Sequence, residues 1–178
     1  MIRLCRQSDF SAMLAIINSA ALAYRGTIPD DRWKEPCMPE KELAKEREAD
    51  VVFWCWEKTQ SLLGVMGIQD VRDVTLIRHA YTHPTCQRQG IGSKLLMHLA
   101  SQAKRPLLVG TWADAKWAIK FYENQGFKMV PEAGKNILLR KYWCIPERQV
   151  ATSVVLSNTP VKKLVSRYNL RPLEPAGV

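Results

Sequence analysis

The sequence has no Cys-x-x-Cys pair, and its five cysteines (Cys5, Cys37, Cys55, Cys86 and Cys144) are an odd number spread along the chain. That spacing argues against a disulfide framework and a zinc site, so no metal is expected. No uninterrupted apolar run reaches the roughly 20 residues that span a bilayer, and the start, Met1–Gln7, lacks the apolar core of a signal peptide. A cytoplasmic protein with no membrane partner is therefore expected. Internal repeats and low-complexity stretches are absent as well. Basic residues outnumber acidic ones, 26 to 17, for a net charge of +9. They are scattered, however, without the basic run of a nucleic-acid arm. Nucleic acid is thus not the expected partner; a phosphorylated cofactor suits the charge equally.

What is present has ordinary globular composition, 47% hydrophobic and 24% charged over 178 residues, which favours one domain. A chain of this size buries roughly 70% of its unfolded surface without needing disulfides or metal.

Local patterns alternate between two periods. Ile2–Cys5 reads as a short strand. Ser8 is placed to cap a helix carrying Phe10, Met13, Leu14, Ile17 and Ala21 at helical spacing. Pro39 with Glu40 and Glu42 marks a second helix start, proline in the first turn and acids at the positive dipole end. Val51–Glu57, Leu62–Val71 and Val74–Thr82 form a meander of hairpins separated by short polar turns. Then the order changes to helix (90–103), strand (107–111), helix (115–125) and two strands, Phe127–Val130 and Ile137–Trp143. Val150–Leu156 reads as a further strand, and Leu170–Val178 as a loose tail.

The chemistry concentrates in Ala80-Tyr81-Thr82-His83-Pro84-Thr85-Cys86-Gln87-Arg88-Gln89-Gly90-Ile91-Gly92-Ser93. A strand runs through a proline turn into Gln87-x-x-Gly90-x-Gly92 and directly into a helix. Helix starts carry unpaired amides and a partial positive charge, and glycines remove the Cβ atoms that would hold a diphosphate away from them. Alone, the pattern is equally an ordinary turn with a helix cap. It is neither a P-loop, since the Gly-Lys-Ser/Thr ending is missing, nor a dinucleotide fingerprint. A second segment follows at a matching distance, Ala118-Ile119-Lys120-Phe121-Tyr122-Glu123-Asn124-Gln125-Gly126-Phe127.

Together the two segments resemble the acetyl-CoA motifs of the GNAT N-acetyltransferase superfamily. The likeness is closest over residues 76–130, and the element order over 2–143 is compatible with the whole fold. The resemblance implies an α/β fold with a mixed, mostly antiparallel central sheet and helices on both faces. It implies an acetyltransferase domain over 1–144 and a C-terminal extension over 145–178 that holds an added strand and the tail. Acetyl-CoA is the implied acyl donor. Gln87, Arg88, Gln89, Gly90, Ile91, Gly92 and Ser93 would hold its diphosphate, while the main chain of Tyr81 and Thr82 would meet the thioester end. Tyr122 matches the family's general acid, and Tyr24 and Trp33 resemble residues of the acceptor-side loops. Two positions depart from the pattern. Ala115 stands where many members have asparagine, and Leu76 stands where some carry a glutamate base.

The implied reaction is transfer of the acetyl group to a primary amine of a small molecule, by direct attack in a ternary complex. A protein N-terminal or lysine acetyltransferase remains open, as does a non-catalytic acetyl-CoA-binding regulatory module, suggested by Ala115, Leu76 and the positive charge. The exposed sheet edges leave room for a homodimer. Of the histidines, His83 is expected to shape the turn and His98 to lie at the surface or rim. His79 should point away from the face shared by residues 78, 80 and 82.

Overall fold

Apolar hairpins organise the first part of the chain. In the computed structural model, which describes residues 1–159, strand β1 (Ile2–Leu4) pairs antiparallel with β2 (Val52–Lys58). Strand β2 pairs with β3 (Ser61–Val71), and β3 with β4 (Val74–Thr82), each antiparallel. The two tight turns lie where polar residues separate the apolar runs. Thr59, Gln60 and Arg72 take positive φ there, as hairpin turns of right-handed twist require. The expected tail, Leu170–Val178, falls outside the described residues.

Helices cover both faces of these four strands. On one side lie α1 (Phe10–Ala21) and α2 (Glu40–Glu48). Met13, Ile16 and Ile17 of α1 and Leu43 of α2 enclose a core with Phe53, Cys55 and Val65 of the sheet. Ser8 lies inside a short helical turn, Gln7–Asp9, that precedes α1, and Asp9 rather than Ser8 closes the start of that turn: the Arg6 amide donates to Asp9 Oδ2 at 2.6 Å. Arg3 then holds the same carboxylate at 2.6 Å and Glu57 at 2.6 Å. A carboxylate with an arginine partner can reach back to that amide, which a serine hydroxyl at position 8 does not do. The opposite face carries α3 (Ile91–Gln102), which buries Ile91, Leu95, Leu96 and Leu99, a stripe at helical spacing. Gly64 permits this packing, because a Cβ there would lie 2.8 Å from Ile91 Cγ2.

The chain divides into two compact units, Met1–Arg105 and a second beginning at Pro106. In the second, β5 (Leu107–Trp112) and β6 (Lys128–Met129) both pair antiparallel with β7 (Ser153–Ser157). Helix α4 (Lys116–Asn124) connects β5 to β6; α5 (Glu132–Tyr142) and α6 (Glu147–Ala151) connect β6 to β7. The expected strand over Ile137–Trp143 is therefore a helix. Its buried residues, Gly134, Lys135, Leu138, Leu139 and Tyr142, recur every three to four positions rather than every second. Lys135 is buried yet satisfied, since Nζ donates to the Val150 carbonyl at 3.0 Å. Trp143 packs against the bare Cα of Gly110, where a Cβ would lie 3.4 Å from Trp143 Cε2. The described strands and helices make an α/β fold of mostly antiparallel character, as the motifs imply.

Candidate active site

Backbone conformation makes the turn between β4 and α3 an open cradle. Pro84–Cys86 forms one short turn of helix, fixed by His83, whose Nδ1 lies 2.9 Å from Thr85 Oγ1. Arg88 and Gly90 then take φ of +60° and +77°. Left-handed conformations at alternate positions turn successive amides toward a common concavity, a geometry that suits an anion. The first hydrogen bond of α3 runs from the Lys94 amide to the Gly90 carbonyl at 3.0 Å, so the amides of Ile91, Gly92 and Ser93 lie ahead of the helical ladder. No side chain caps this helix. Gln87, Arg88, Gln89 and Gly90 are exposed, whereas Ile91 is buried and anchors the helix start against the sheet. The arrangement fits a diphosphate.

A bulge in β4 redirects the side chains leading into the cradle. Val65 pairs with Tyr81 and Gly67 with Arg78, so two steps along β3 oppose three along β4. His79 absorbs the extra residue at φ +48°. Arg78 and Tyr81 consequently share the face of α1 and α2, and Thr82, opposite Gly64, takes the α3 face. Strict alternation would have separated them, so the expected common face of residues 78, 80 and 82 is not found. His79 turns toward α2 as well. Its ring stacks on Phe53 with centroids 5.8 Å apart, and its Nε2 lies 2.9 Å from Glu46 Oε2. Nε2 is buried there and makes no hydrogen bond of acceptable geometry. Arg78 grips the same carboxylate through Nη2 at 2.7 and 2.8 Å. Burial pushes the Glu46 carboxyl up, but His79 and Arg78 outweigh it and hold it below the usual carboxylate range.

Tyr81 packs, partly buried, against the core that α1 and α2 share with the sheet. Burial, with smaller contributions from Tyr24 and Cys37, raises its phenol above the ordinary tyrosine range. Those two residues flank a loop whose far end is stapled to α1: Asn18 Nδ2 donates to the Met38 carbonyl at 2.9 Å, and the Met38 amide donates to Asn18 Oδ1 at 2.8 Å. Within the loop, the Arg25 guanidinium sits 6.0 Å above the Trp33 ring and pairs with Glu35 at 2.7 Å. Tyr24 and Trp33 are thus both held on the α1–α2 side. Leu76 is fully buried and offers no base. Trp54 and Trp56 are half-buried; Trp54 meets the His98 ring edge-on at 4.5 Å, and Lys94 Nζ stands 5.0 Å over Trp56.

In the second unit, Tyr122 lies on α4, 5% exposed. Its ring packs against Phe121 and Phe127, with centroids 4.9 and 5.7 Å away. Ala115 is buried immediately before α4 and brings no side-chain hydrogen bond to its start.

One group of soft donors stands apart from these elements. Cys5, Asp9 and Cys55 bring their ligand atoms within 4.8 Å of one another. Asp9 is already committed to Arg3 at 2.6 and 3.0 Å, and a hydrogen bond between the two thiols raises Cys5 and lowers Cys55.

The model of the acetyltransferase (GNAT) family matches residues 13–127. The chain belongs to the GNAT acetyltransferase family. It is accordingly an acetyl-CoA-dependent acyltransferase, and the cradle at the start of α3 lies within the matched segment. Peptidyl-lysine N-acetyltransferase YiaC of Escherichia coli K12 is 29% identical over 131 residues, 73% of this chain and 84% of that protein. The PaiA N-acetyltransferase of Thermoplasma acidophilum, solved with coenzyme A, superposes with a TM-score of 0.67 at 14% identity, covering 90% of this chain and 98% of that one. A ribosomal-protein-alanine N-acetyltransferase of Brucella melitensis gives a TM-score of 0.59 at 21% identity, over 74% and 86% of the two chains. At these identities the two structures speak for the fold. No described helix is long and apolar enough to cross a membrane.

The cluster of Glu46, Arg78 and His79 in this GNAT protein was not singled out from the sequence. A signal was present, since Arg78-His79 interrupts an otherwise apolar strand and two adjacent polar residues on a half-buried strand need partners.

Proposed function

We propose that this acetyltransferase transfers the acetyl group of acetyl-CoA to a primary amine of a small molecule by direct attack in a ternary complex. The observation that carries the reading is the cradle, where left-handed Arg88 and Gly90 precede the uncapped amides of Ile91, Gly92 and Ser93. These amides, with Arg88, Gln87 and Gln89 around them, would bind the diphosphate of the donor. The main chain of Tyr81 and Thr82 would align the pantetheine arm and polarise the thioester carbonyl.

The acceptor side would be formed by Tyr24, Trp33 and the partly buried Tyr81 side chain. An amine arriving neutral attacks the carbonyl carbon; nitrogen bonds to carbon as the carbon–sulfur bond breaks, and the electron pair leaves with sulfur. Tyr122 supplies the proton that the thiolate takes up, a role open to a phenol whose ordinary pKa is about 10. The acylated nitrogen sheds its extra proton to water, and the Tyr122 phenolate regains one from water, so that protons balance over the cycle. The aromatic, stapled loop favours a small acceptor over an extended peptide. The Escherichia coli relative's name, a peptidyl-lysine N-acetyltransferase, favours a second reading, in which the amine is a lysine side chain of a protein. A cytoplasmic location belongs to the same proposal.

Thiol release from acetyl-CoA separates the readings when measured across polyamines, amino acids, aminoglycosides and lysine- or N-terminal peptides. Turnover of a small amine in preference to every peptide supports the proposal. Turnover of peptides alone replaces it with the second reading, and donor binding without any turnover points to a sensor.

A further inference from the structure

The loop between α1 and α2 carries three cations, and two of them are neutralised within the protein. Arg25 pairs with Glu35 at 2.7 Å, and Lys34 pairs with Glu42. Arg32 is different. No carboxylate of the described residues forms an ion pair with it, and its Nε is buried with no hydrogen-bond partner. Guanidinium N–H groups withdrawn from water normally find an acceptor, and an arginine fork left open matches a planar carboxylate.

Its location gives this meaning. Arg32 ends the short helical turn Asp30–Arg32, next to Trp33. The loop around it is fixed by the Asn18–Met38 staple, by the Arg25–Glu35 pair, and by the Arg32 and Trp33 amides, which both donate to the Pro29 carbonyl at 2.8 and 3.0 Å. The unpaired cation therefore belongs to the segment assigned above to the acceptor, and it is held there rather than trailing in solvent.

We propose that Arg32 binds a carboxylate of the acceptor, so that the acetylated amine belongs to a free amino carboxylate rather than to a polyamine or an aminoglycoside. This rests on the N-acetyltransferase reading above. Arg32 acts as a specificity-determining residue: it fixes one end of the acceptor while the amine end reaches the thioester. Trp33 and Tyr24 offer aromatic surface to whatever lies between those ends.

The test compares matched acceptors that differ only at the carboxylate, such as leucine, leucinamide and isopentylamine. A series of ω-amino acids alongside reads the distance between the two ends. The carboxylate form should be preferred in kcat/KM by about 10- to 100-fold, the usual worth of a hydrogen bond to a charged group. Arg32→Gln should abolish that preference through KM of the carboxylate acceptor. KM for acetyl-CoA and turnover of isopentylamine should not change. Arg32→Lys, which keeps the charge but not the fork, should recover part of the preference and so exclude misfolding as the cause. Equal turnover of the three matched acceptors by the wild-type protein overturns the inference and leaves the N-acetyltransferase reading intact. So does a preference for acidic peptides over every free amino carboxylate. Binding of acetyl-CoA with no turnover of any amine overturns both.

Discussion

Gly64→Ala tests how the packing of α3 governs the donor cradle. The added Cβ would lie 2.8 Å from Ile91 Cγ2, 3.3 Å from the Tyr81 carbonyl oxygen and 3.5 Å from Leu95 Cδ1. Carbon atoms prefer about 3.5–4.0 Å, so the contact with Ile91 is short by roughly 0.7–1.2 Å. Ile91 is β-branched and confined to one rotamer in a helix, and the carbonyl belongs to the backbone of β4. Neither neighbour can swing away, so the start of α3 must move. Overpacking of this kind costs about 1–3 kcal/mol, offset by about 0.5–1 kcal/mol for replacing a strand glycine. A net loss of up to about 2.5 kcal/mol lowers Tm by up to about 10 °C in a chain of this length. Because the displaced residue begins the cradle, KM for acetyl-CoA should rise as well. Gly67→Ala is the control: its Cβ would lie 2.8 Å from Val51 Cγ1 and 3.2 Å from the Arg78 carbonyl oxygen, on the opposite face. It should lower Tm comparably and leave KM for acetyl-CoA unchanged. An unshifted Tm and KM in Gly64→Ala, or equal KM effects in both variants, would refute the reasoning.

Two further outcomes follow from the bulge and the cradle. Gly90→Ala meets no atom closer than Lys94 Cε at 4.0 Å, so its cost is conformational: about 1–2 kcal/mol for a side chain in the left-handed region, read as weaker acetyl-CoA binding by calorimetry. Glu46→Gln should lower Tm at pH 7 by removing the partner of Arg78 and His79. Since the folded carboxyl sits below its ordinary value, its stabilisation is present above the unfolded carboxylate range near 4.3 and is lost as pH falls through the folded value. The Tm gap between wild type and variant should close in acid melts, and a gap that widens there would contradict the assignment.

Much of this architecture was legible because local and tertiary signals agree. Met13 and Ile17 at helical spacing and the polar turn Lys58-Thr59-Gln60 each mean the same thing alone as in the fold. The failures come from tertiary context. Ile137–Trp143 is rich in strand-forming residues, yet the face that becomes buried is Leu138, Leu139 and Tyr142, a helical stripe obscured by the exposed Ile137. The β4 bulge cannot be seen in a pattern of alternation, because one inserted residue, His79, reverses the sidedness of everything after it. The unpaired guanidinium of Arg32 is recognisable only once every possible partner among the described residues has been placed.

Tyr122 is the proposed proton donor of the acetyl transfer, and Tyr122→Phe removes the proton it would give. The substitution keeps the ring against Phe121 and Phe127 and removes only the hydroxyl. Measured with a turned-over amine, kcat should fall by roughly 10²- to 10⁴-fold, while calorimetry gives the wild-type affinity for acetyl-CoA. An unchanged kcat would contradict the role given to Tyr122, and failure of the wild-type protein to bind acetyl-CoA would contradict the account as a whole.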